Sequence, residues 1–341
     1  MSLKIIVTGG YGFIGSAFIR YLIDNTNHTV MNIDKLTYAS NLMSLSNIKN
    51  KKRYIFKKID INNNKSIRNV LLNFKPNIIV HLAAETHVDN SLLQSNIFIK
   101  TNIMGTYNLL YETRAYWNNL NNFDKDNFIF FHITTDEVYG DLGFGNKKKF
   151  TEKSAYYPNS PYSASKASSD HLVRAWYKSY GLPVLISHCS NNYGPFQNLE
   201  KFIPKMITQA VRGKSLPIYG NGRQIRDWLY VEDNADALYK ILLYGELGES
   251  YNIGGDNERT NISVVKKICE ILEKHLNNKQ KKCSNFINLI KFVKDRPGHD
   301  KRYSLNTKKI KKTIGWSQKT SFSKGLKKTV LWYLKNKKYW K

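Results

Sequence analysis

Short runs of branched apolar residues alternate with stretches of helical periodicity through the first half of the chain. The runs are LKIIVTG, HTVMNID, YIFKKID, NIIVHLA, FIFFHIT and PVLISHC. Between them, residues 13–25, 64–74, 91–118 and 161–180 read as amphipathic helices, with apolar positions three and four apart. The runs lack a strict polar–apolar alternation, as expected of strands covered on both faces. The pattern predicts an α/β fold built on a doubly wound parallel sheet. After Ser190 the pattern loosens into turns, short strands and helices, which predicts a smaller α/β lobe. The chain is expected to cross back into the first lobe near 226–245. This divides it into 1–190 plus about 226–250, and about 191–225 plus 251–341. The Lys/Asn-rich stretch 277–285 reads as a surface loop.

The first strand runs into VTGGYGFIGS, which spaces Gly9, Gly12 and Gly15 as G-x-x-G-x-x-G and then opens a helix. Glycines at such a turn let backbone N–H groups approach a pyrophosphate, and the helix N-terminus favours its charge. Glycine spacing alone is weak evidence. Asp34 strengthens it by ending the second strand about 20 residues after the last glycine. A carboxylate there accepts hydrogen bonds from ribose hydroxyls and repels a 2′-phosphate, which favours NAD over NADP.

The chain has 341 residues, enough for a sizeable core and about two domains. Its net charge of +27 raises the possibility of nucleic-acid binding. Only 11 of the 53 basic residues are Arg, however, and the lysines are scattered beside asparagines in tracts such as NNNKS and KHLNNKQKKC. No aromatic–basic interleaving, zinc-finger or helix-turn-helix signature accompanies them. The charge therefore reads as a solvated surface, with attraction of anionic substrates as a secondary role. Cys189, Cys269 and Cys283 form no C-x-x-C pair, which suits a reducing, cytoplasmic setting. The opening MSLKIIVTGG enters a strand directly and leaves no room for a signal peptide, and no apolar run reaches the ~18 residues of a membrane span. No His/Asp/Glu grouping has metal-site spacing.

Two features carry candidate chemistry. YSASK places Tyr162 and Lys166 four residues apart on a predicted helix, hence on one face. The spacing is uninformative alone, since Tyr54…Lys58 and Tyr333…Lys337 share it. Tyr162 is singled out by the helix-start signals in YYPNSP before it. For a phenol of pKa ~10 to act as a base near neutrality, its pKa must fall by about three units, which a neighbouring ammonium and a nicotinamide cation would favour. The second feature is the strand end Thr134-Thr135-Asp136-Glu137. Adjacent carboxylates raise each other's pKa, so one can stay protonated while the other ionises, as acid–base catalysis requires. Side chains alternate along a strand, so both acids face one substrate only if the strand ends and turns there. Gly140 suits such a turn. His81 reads as a satisfied core or cofactor-loop histidine.

Together, TGGYGFIG, HLAAETHVD, TTDEVYGD, YSASK, NNYGPFQ, QIRDWLYVEDNA and DRPGHD resemble the extended short-chain dehydrogenase/reductase family, over about residues 3–335. Within it they look like the nucleotide-sugar 4,6-dehydratases. Related epimerases share the glycines and Y-x-x-x-K but lack both acids. The resemblance implies a Rossmann-type fold, bound NAD, a dTDP-glucose substrate and a homodimer formed through the helices near 91–118 and 161–180. It implies catalysis by Thr135, Asp136, Glu137, Tyr162 and Lys166. It places Phe13 and Ile14 at the pyrophosphate, and Asp60 and Ile61 near the adenine. Asp34, Lys35, Leu36 and Thr37 would hold the ribose end, and Leu82, Ala83, Ala84, Thr101 and Asn192 the rest of the cofactor. Thr86, His87 and Asn191 would lie beside the sugar. Glu200, Lys201, Pro217, Ile218, Tyr219, Arg226, Asn261 and the run Asp295, Arg296, Pro297, Gly298 and His299 would hold the nucleotide diphosphate. Arg226 and Arg296 suit phosphate by bidentate geometry. Two positions depart from the family pattern, Asn90 in HVDN and Ser40 in TYAS. Other readings left open are a 4-epimerase, a decarboxylase or a UDP-sugar dehydratase of the same fold, and, in a different class, a non-catalytic nucleic-acid-binding protein.

Overall fold

A computed structural model describes residues 2–145, 147–277 and 281–340. Six strands form in turn: β1 (Lys4–Thr8), β2 (Thr29–Asp34), β3 (Tyr54–Lys58), β4 (Ile78–His81), β5 (Ile129–Thr135) and β6 (Val184–Cys189). They alternate with α1 (Phe13–Asn25), α2 (Asn64–Phe74), α3 (Val88–Leu93), α4 (Ser95–Phe98), α5 (Gly105–Asn118), α6 (Asn122–Asp126) and α7 (Pro161–Tyr180). The second half adds β7 (Asn191–Tyr193), α8 (Phe202–Val211), β8 (Leu216–Tyr219), β9 (Ile225–Tyr230), α9 (Val231–Tyr244), β10 (Ser250–Ile253), β11 (Glu258–Thr260), α10 (Asn261–His275), β12 (Ile290–Val293), α11 (Lys308–Ile314) and α12 (Phe322–Lys335).

Seven strands pair in the order β10-β6-β5-β4-β1-β2-β3, all parallel. One face carries a core with Ile5, Val7, Phe18, Leu22 and Leu238. The opposite face carries Ile6, Ile79, Leu109, Phe130 and Val184. Burial on both faces explains why these strands read as continuous apolar runs. The strand order reverses between β1 and β4, which opens a crevice at their carboxyl ends. Below the crevice, His81 is bonded on both ring nitrogens, to Thr8 Oγ1 at 2.8 Å and Thr106 Oγ1 at 2.9 Å.

The smaller lobe combines the sheets β11-β9-β7 and β12-β8 around Ile203, Met206, Val265, Ile268, Leu326 and Val330. The return crossing spans both lobes. β9 belongs to the three-stranded sheet, α9 packs on α1, and β10 extends the large sheet. Ile310 and Trp316 also belong to the large-sheet core, although they lie within 251–341. Of the loop expected at 277–285, residues 278–280 lie outside the described residues.

The local signals act as chemistry predicts. Ser160 caps α7 in a capping box with Ser163, Pro161 starts the helix, and Gly181 ends it at φ 73°. The continuous helix expected over 91–118 is instead broken. α3 stops at Gln94, and residues Ile99–Met104 form a π-turn before α5. The wider turn sets Thr101 and Asn102 inward. The Asn102 amide then bonds Glu85 N–H and C=O and the Ser165 hydroxyl at 2.8–3.0 Å. These bonds hold the loop after β4 in place, and their geometry explains the departure from regular helix.

Between β5, β6 and α7 lies a polar cluster whose Asp170, His132 and His188 are wholly buried. Asp170 sits 3.1 Å from His132 Nε2 and 3.2 Å from His188 Nε2, and accepts a bond from the Tyr156 hydroxyl. Burial pushes His132 down to about 4, so it stays neutral near pH 7. The Asp170 charge is held by these donors and also favours the protonated form of Lys166. Removing one member of such a set leaves the others uncompensated in a dry interior. Asp170→Ala is expected to cost about 3–5 kcal/mol of stability, read as a lowered urea midpoint.

Candidate active site

The turn after β1 is shaped by close approach. Gly9 has φ 69°, and a Cβ there would lie 2.7 Å from Ala83 Cα. A Cβ at Gly15 would lie 2.3 Å from the Gly9 carbonyl oxygen. Glycine is therefore required at both positions, and α1 starts with no side chain capping its first N–H groups. Asp34 accepts from Tyr11 N at 2.9 Å, Leu36 N at 2.8 Å and Ser40 Oγ at 3.1 Å. Lys35 reaches Thr101 Oγ1 at 3.2 Å and Glu85 at 3.5 Å.

A cavity of about 300 Å³ runs from this turn to the end of β5. Gly9, Gly12, Phe13, Ile14, Gly15, Asp34, Lys35, Thr37 and Ile61 line one end, with Leu82, Ala83, Ala84 and Thr101. Thr86, Thr135, Asp136, Glu137, Tyr162, Lys166, Asn191, Asn192, Glu200 and Lys201 line the other. Leu36 and Asp60 fall outside the lining. Leu36 carries the positive φ of 61° that turns the chain past Asp34, and Asp60 bonds Asn62 in a local turn. The lining also takes in residues that the sequence did not mark as site residues, among them Ser40, Glu85, Cys189, Ser190, Gln197 and Asn198. Gln197 and Asn198 sit in or beside the NNYGPFQ motif, so their signal was present. Thr134 Oγ1, Asp136 Oδ2, Ser190 Oγ, Asn191 Oδ1, Asn192 Oδ1 and Gln197 Oε1 are buried there without a hydrogen-bond partner. Buried polar atoms are normally satisfied, so this concentration in one cavity fits a polar ligand such as a dinucleotide.

At the far end, β5 stops at Thr135 and a single 3-10 turn, Asp136–Tyr139, takes over. The strand thus ends and turns where the two acids begin. Gly140 completes the bend at φ 85°, with no room for a Cβ beside the Tyr157 carbonyl. Thr135 Oγ1 accepts from Glu137 N and lies 3.3 Å from Asp136 Oδ1. Burial holds the Asp136 carboxyl well above its usual range, and the Glu137 charge adds to this. Burial also raises Glu137, but Arg296, Arg226 and Lys201 oppose it. Of the two, Asp136 is the more fully buried and the better suited to keep its proton.

Tyr162 departs from expectation. Burial pushes its phenol up, not down, and Glu137 adds to the effect, while a hydrogen bond with Thr135 opposes it. Lys166 Nζ donates to the Ile133 carbonyl at 2.9 Å. Burial lowers the ammonium to about 8. The physical reason is desolvation: the same enclosure that orders the site penalises both charges.

The smaller lobe faces this end across the cleft. Lys201 donates to the Thr86 carbonyl at 2.9 Å, and His87 lies 3.8 Å from Glu200. Arg296 pairs with Asp89 at 3.1 Å and keeps a buried Nε without a hydrogen bond. Arg226 is buried over the Tyr303 ring and donates to the Asp300 carbonyl. His87, Pro217, Ile218, Tyr219, Arg226, Asn261, Asp295, Arg296, Pro297, Gly298 and His299 do not line the cavity itself. Ile218 points into the small-lobe core, and Asp295 is occupied with His299 and Gln224. Tyr219 bonds Asp89 at 3.3 Å, beside Arg296.

Residues 6–329 match the family model described as GDP-mannose 4,6 dehydratase. The chain is 54% identical to a dTDP-glucose 4,6-dehydratase of Escherichia coli, over 99% of this chain and 95% of that one. A solved dTDP-glucose 4,6-dehydratase of Bacillus anthracis in complex with NAD superposes with a TM-score of 0.86, at 40% identity and 99% coverage of both chains. The Streptomyces venezuelae enzyme DesIV, a dTDP-glucose 4,6-dehydratase with NAD and TYD bound, gives a TM-score of 0.89 at 37% identity, again with 99% coverage of both chains. With acids, phenol and glycine turn arranged around one cleft, and matches over nearly its whole length, the chain belongs to the nucleotide-sugar 4,6-dehydratase family.

Proposed function

We propose that this protein is an NAD-dependent dTDP-glucose 4,6-dehydratase, a hydro-lyase converting dTDP-glucose to dTDP-4-keto-6-deoxyglucose and water. The observation that carries the proposal is the pair of raised, adjacent carboxylates at the end of β5, within one cavity with Tyr162. The near-full-length relatives that carry this name support the substrate and the cofactor. NAD would be held by Gly9, Gly12, Gly15 and Asp34 at its phosphate and ribose end, and when bound it supplies the capacity to take a hydride from the fourth carbon and return it to the sixth.

The side chains then divide the proton transfers. Tyr162 removes the proton of the C4 hydroxyl, and Thr135 hydrogen-bonds the same oxygen. Oxidation at C4 leaves a ketone, which makes the neighbouring C5–H acidic. Glu137 removes that proton, and Asp136 gives its own to the C6 hydroxyl, which leaves as water. A proton returns to C5 as the sixth carbon is reduced. The cycle is redox-neutral, so the cofactor stays bound. The roles follow the electrostatics: Asp136 retains its proton, and Glu137, facing Arg226, Arg296 and Lys201, ionises first. Arg226 and Arg296 are assigned to the diphosphate.

The finer proposals rest on packing. A homodimer would cover the exposed Leu93, Ile97, Ile99, Met104, Tyr107 and Tyr111 on the helical face between 93 and 111. The cofactor lobe comprises 1–190 plus about 226–250, and the substrate lobe about 191–225 plus 251–341, apart from the α11 segment described above. A cytoplasmic setting suits three cysteines that remain free. Among the described residues no helix is long and apolar enough to cross a membrane, and no acid, histidine or cysteine group could hold a metal.

Three outcomes test the assignment. Glu137→Gln is expected to lose keto-sugar formation by about 10²-fold or more while the reduced-cofactor absorbance still develops on adding dTDP-glucose. Tyr162→Phe is expected to abolish that absorbance as well, because the first proton transfer fails. Arg296→Gln removes a charge that opposes protonation of Glu137, so the Glu137 pKa rises further. Activity is lost as pH falls through that pKa, so the acidic limb of the kcat profile is expected to move to higher pH.

A further inference from the structure

The segment 192–201 runs from the end of β7 into the loop before α8, and supplies Asn192, Gln197, Asn198, Glu200 and Lys201 to the cavity. At its centre Phe196 holds φ 67°, a left-handed conformation that a residue with a Cβ rarely adopts. Such a conformation persists only when the surroundings enforce it. The enforcing groups come from the far end of the chain. Tyr339 Oη donates to the Phe196 carbonyl at 2.9 Å and also lies 3.2 Å from the Gln197 carbonyl. Tyr333 Oη donates to the Gln197 carbonyl at 2.6 Å. The Trp332 ring packs on the Phe196 ring with centroids 4.5 Å apart, and the Arg20 guanidinium covers it at 4.8 Å. Gln197 then donates its amide to the Asn192 carbonyl at 2.9 Å, while its buried Oε1 stays without a partner in the cavity.

We propose that Tyr333 and Tyr339 are positioning residues, whose hydroxyls hold the loop 192–201 in its strained form and so set Asn192, Gln197 and Lys201 for ligand binding. Neither hydroxyl touches the cavity. Their effect passes through two carbonyls of the loop, and from Gln197 to Asn192. The proposal rests on reading the cavity as the cofactor and nucleotide-sugar site, but its structural half does not.

The test is the pair of single variants Tyr333→Phe and Tyr339→Phe and their combination, which remove only oxygen atoms and keep the ring packing. Amide hydrogen exchange in the ligand-free protein should rise about tenfold within 192–201 in the double variant, with α12 unchanged. With dTDP-glucose the KM should rise about five- to tenfold while kcat stays within about twofold of the parent. Tyr239→Phe, remote from the cavity, serves as the control and should move neither. Unchanged exchange in 192–201 overturns the proposal, as does an increase spread equally over α12, since the hydroxyls would then serve general stability alone. An unchanged KM in a protein that turns over dTDP-glucose overturns it too. If the parent protein shows no turnover, the reading of the cavity fails, and the exchange result still decides the structural claim.

Discussion

Everything at the active site depends on taking two adjacent carboxyl groups out of water where a parallel strand ends. In solution Asp and Glu both ionise well below neutrality. In the cleft burial raises both, the Glu137 charge raises Asp136 further, and nearby cations oppose the rise of Glu137, so the environments separate the two. Asp136 lies under the turn with one oxygen unpartnered. Glu137 is half-buried and sees two guanidinium groups and Lys201. One fold thereby holds two carboxyl groups of different proton affinity one residue apart. The device requires β5 to stop at Thr135, because a continuing strand would send the two side chains to opposite faces.

The same desolvation acts on the redox half of the site. Tyr162 and Lys166 are buried beside the acids, and both are pushed toward their neutral forms. For a phenol raised in this way to serve as the proposed base, further positive charge must arrive, and a nicotinamide cation would supply it. Behind the site, Asp170 lies among His132, His188 and Tyr156 and sustains the protonated form of Lys166 from within the core. Lys166 is thus tied to a polar cluster that also secures β5 and β6 against α7.

Much of this was legible in the sequence, because the signals were local. The six strand runs, the glycine turn, the capping of α7 and the turn after Glu137 each follow from residue type and spacing. The parts that were not legible depend on distant contacts. Within the helical stretch expected over 91–118, the π segment at 99–104 places Asn102 to bond Glu85 and Ser165, a constraint that no periodicity records. Lys166 turns to the Ile133 carbonyl because the strand end lies within its reach, which i, i+4 spacing cannot foretell. Gln197 and Asn198 enter the cavity on a loop shaped by residues more than a hundred positions away. The Arg296 charge acts on Glu137 only because the small lobe folds back across the cleft, where Asp89 pairs with it.

The central claim is that a transient ketone at the fourth carbon lets Glu137 remove the proton of the fifth. Conversion of dTDP-glucose in deuterated water, with the product examined by proton and deuterium NMR, tests it directly. The account predicts one deuterium from solvent at C5 of the 4-keto-6-deoxy product, formed during turnover. Product that keeps its original hydrogen at C5 throughout would contradict it.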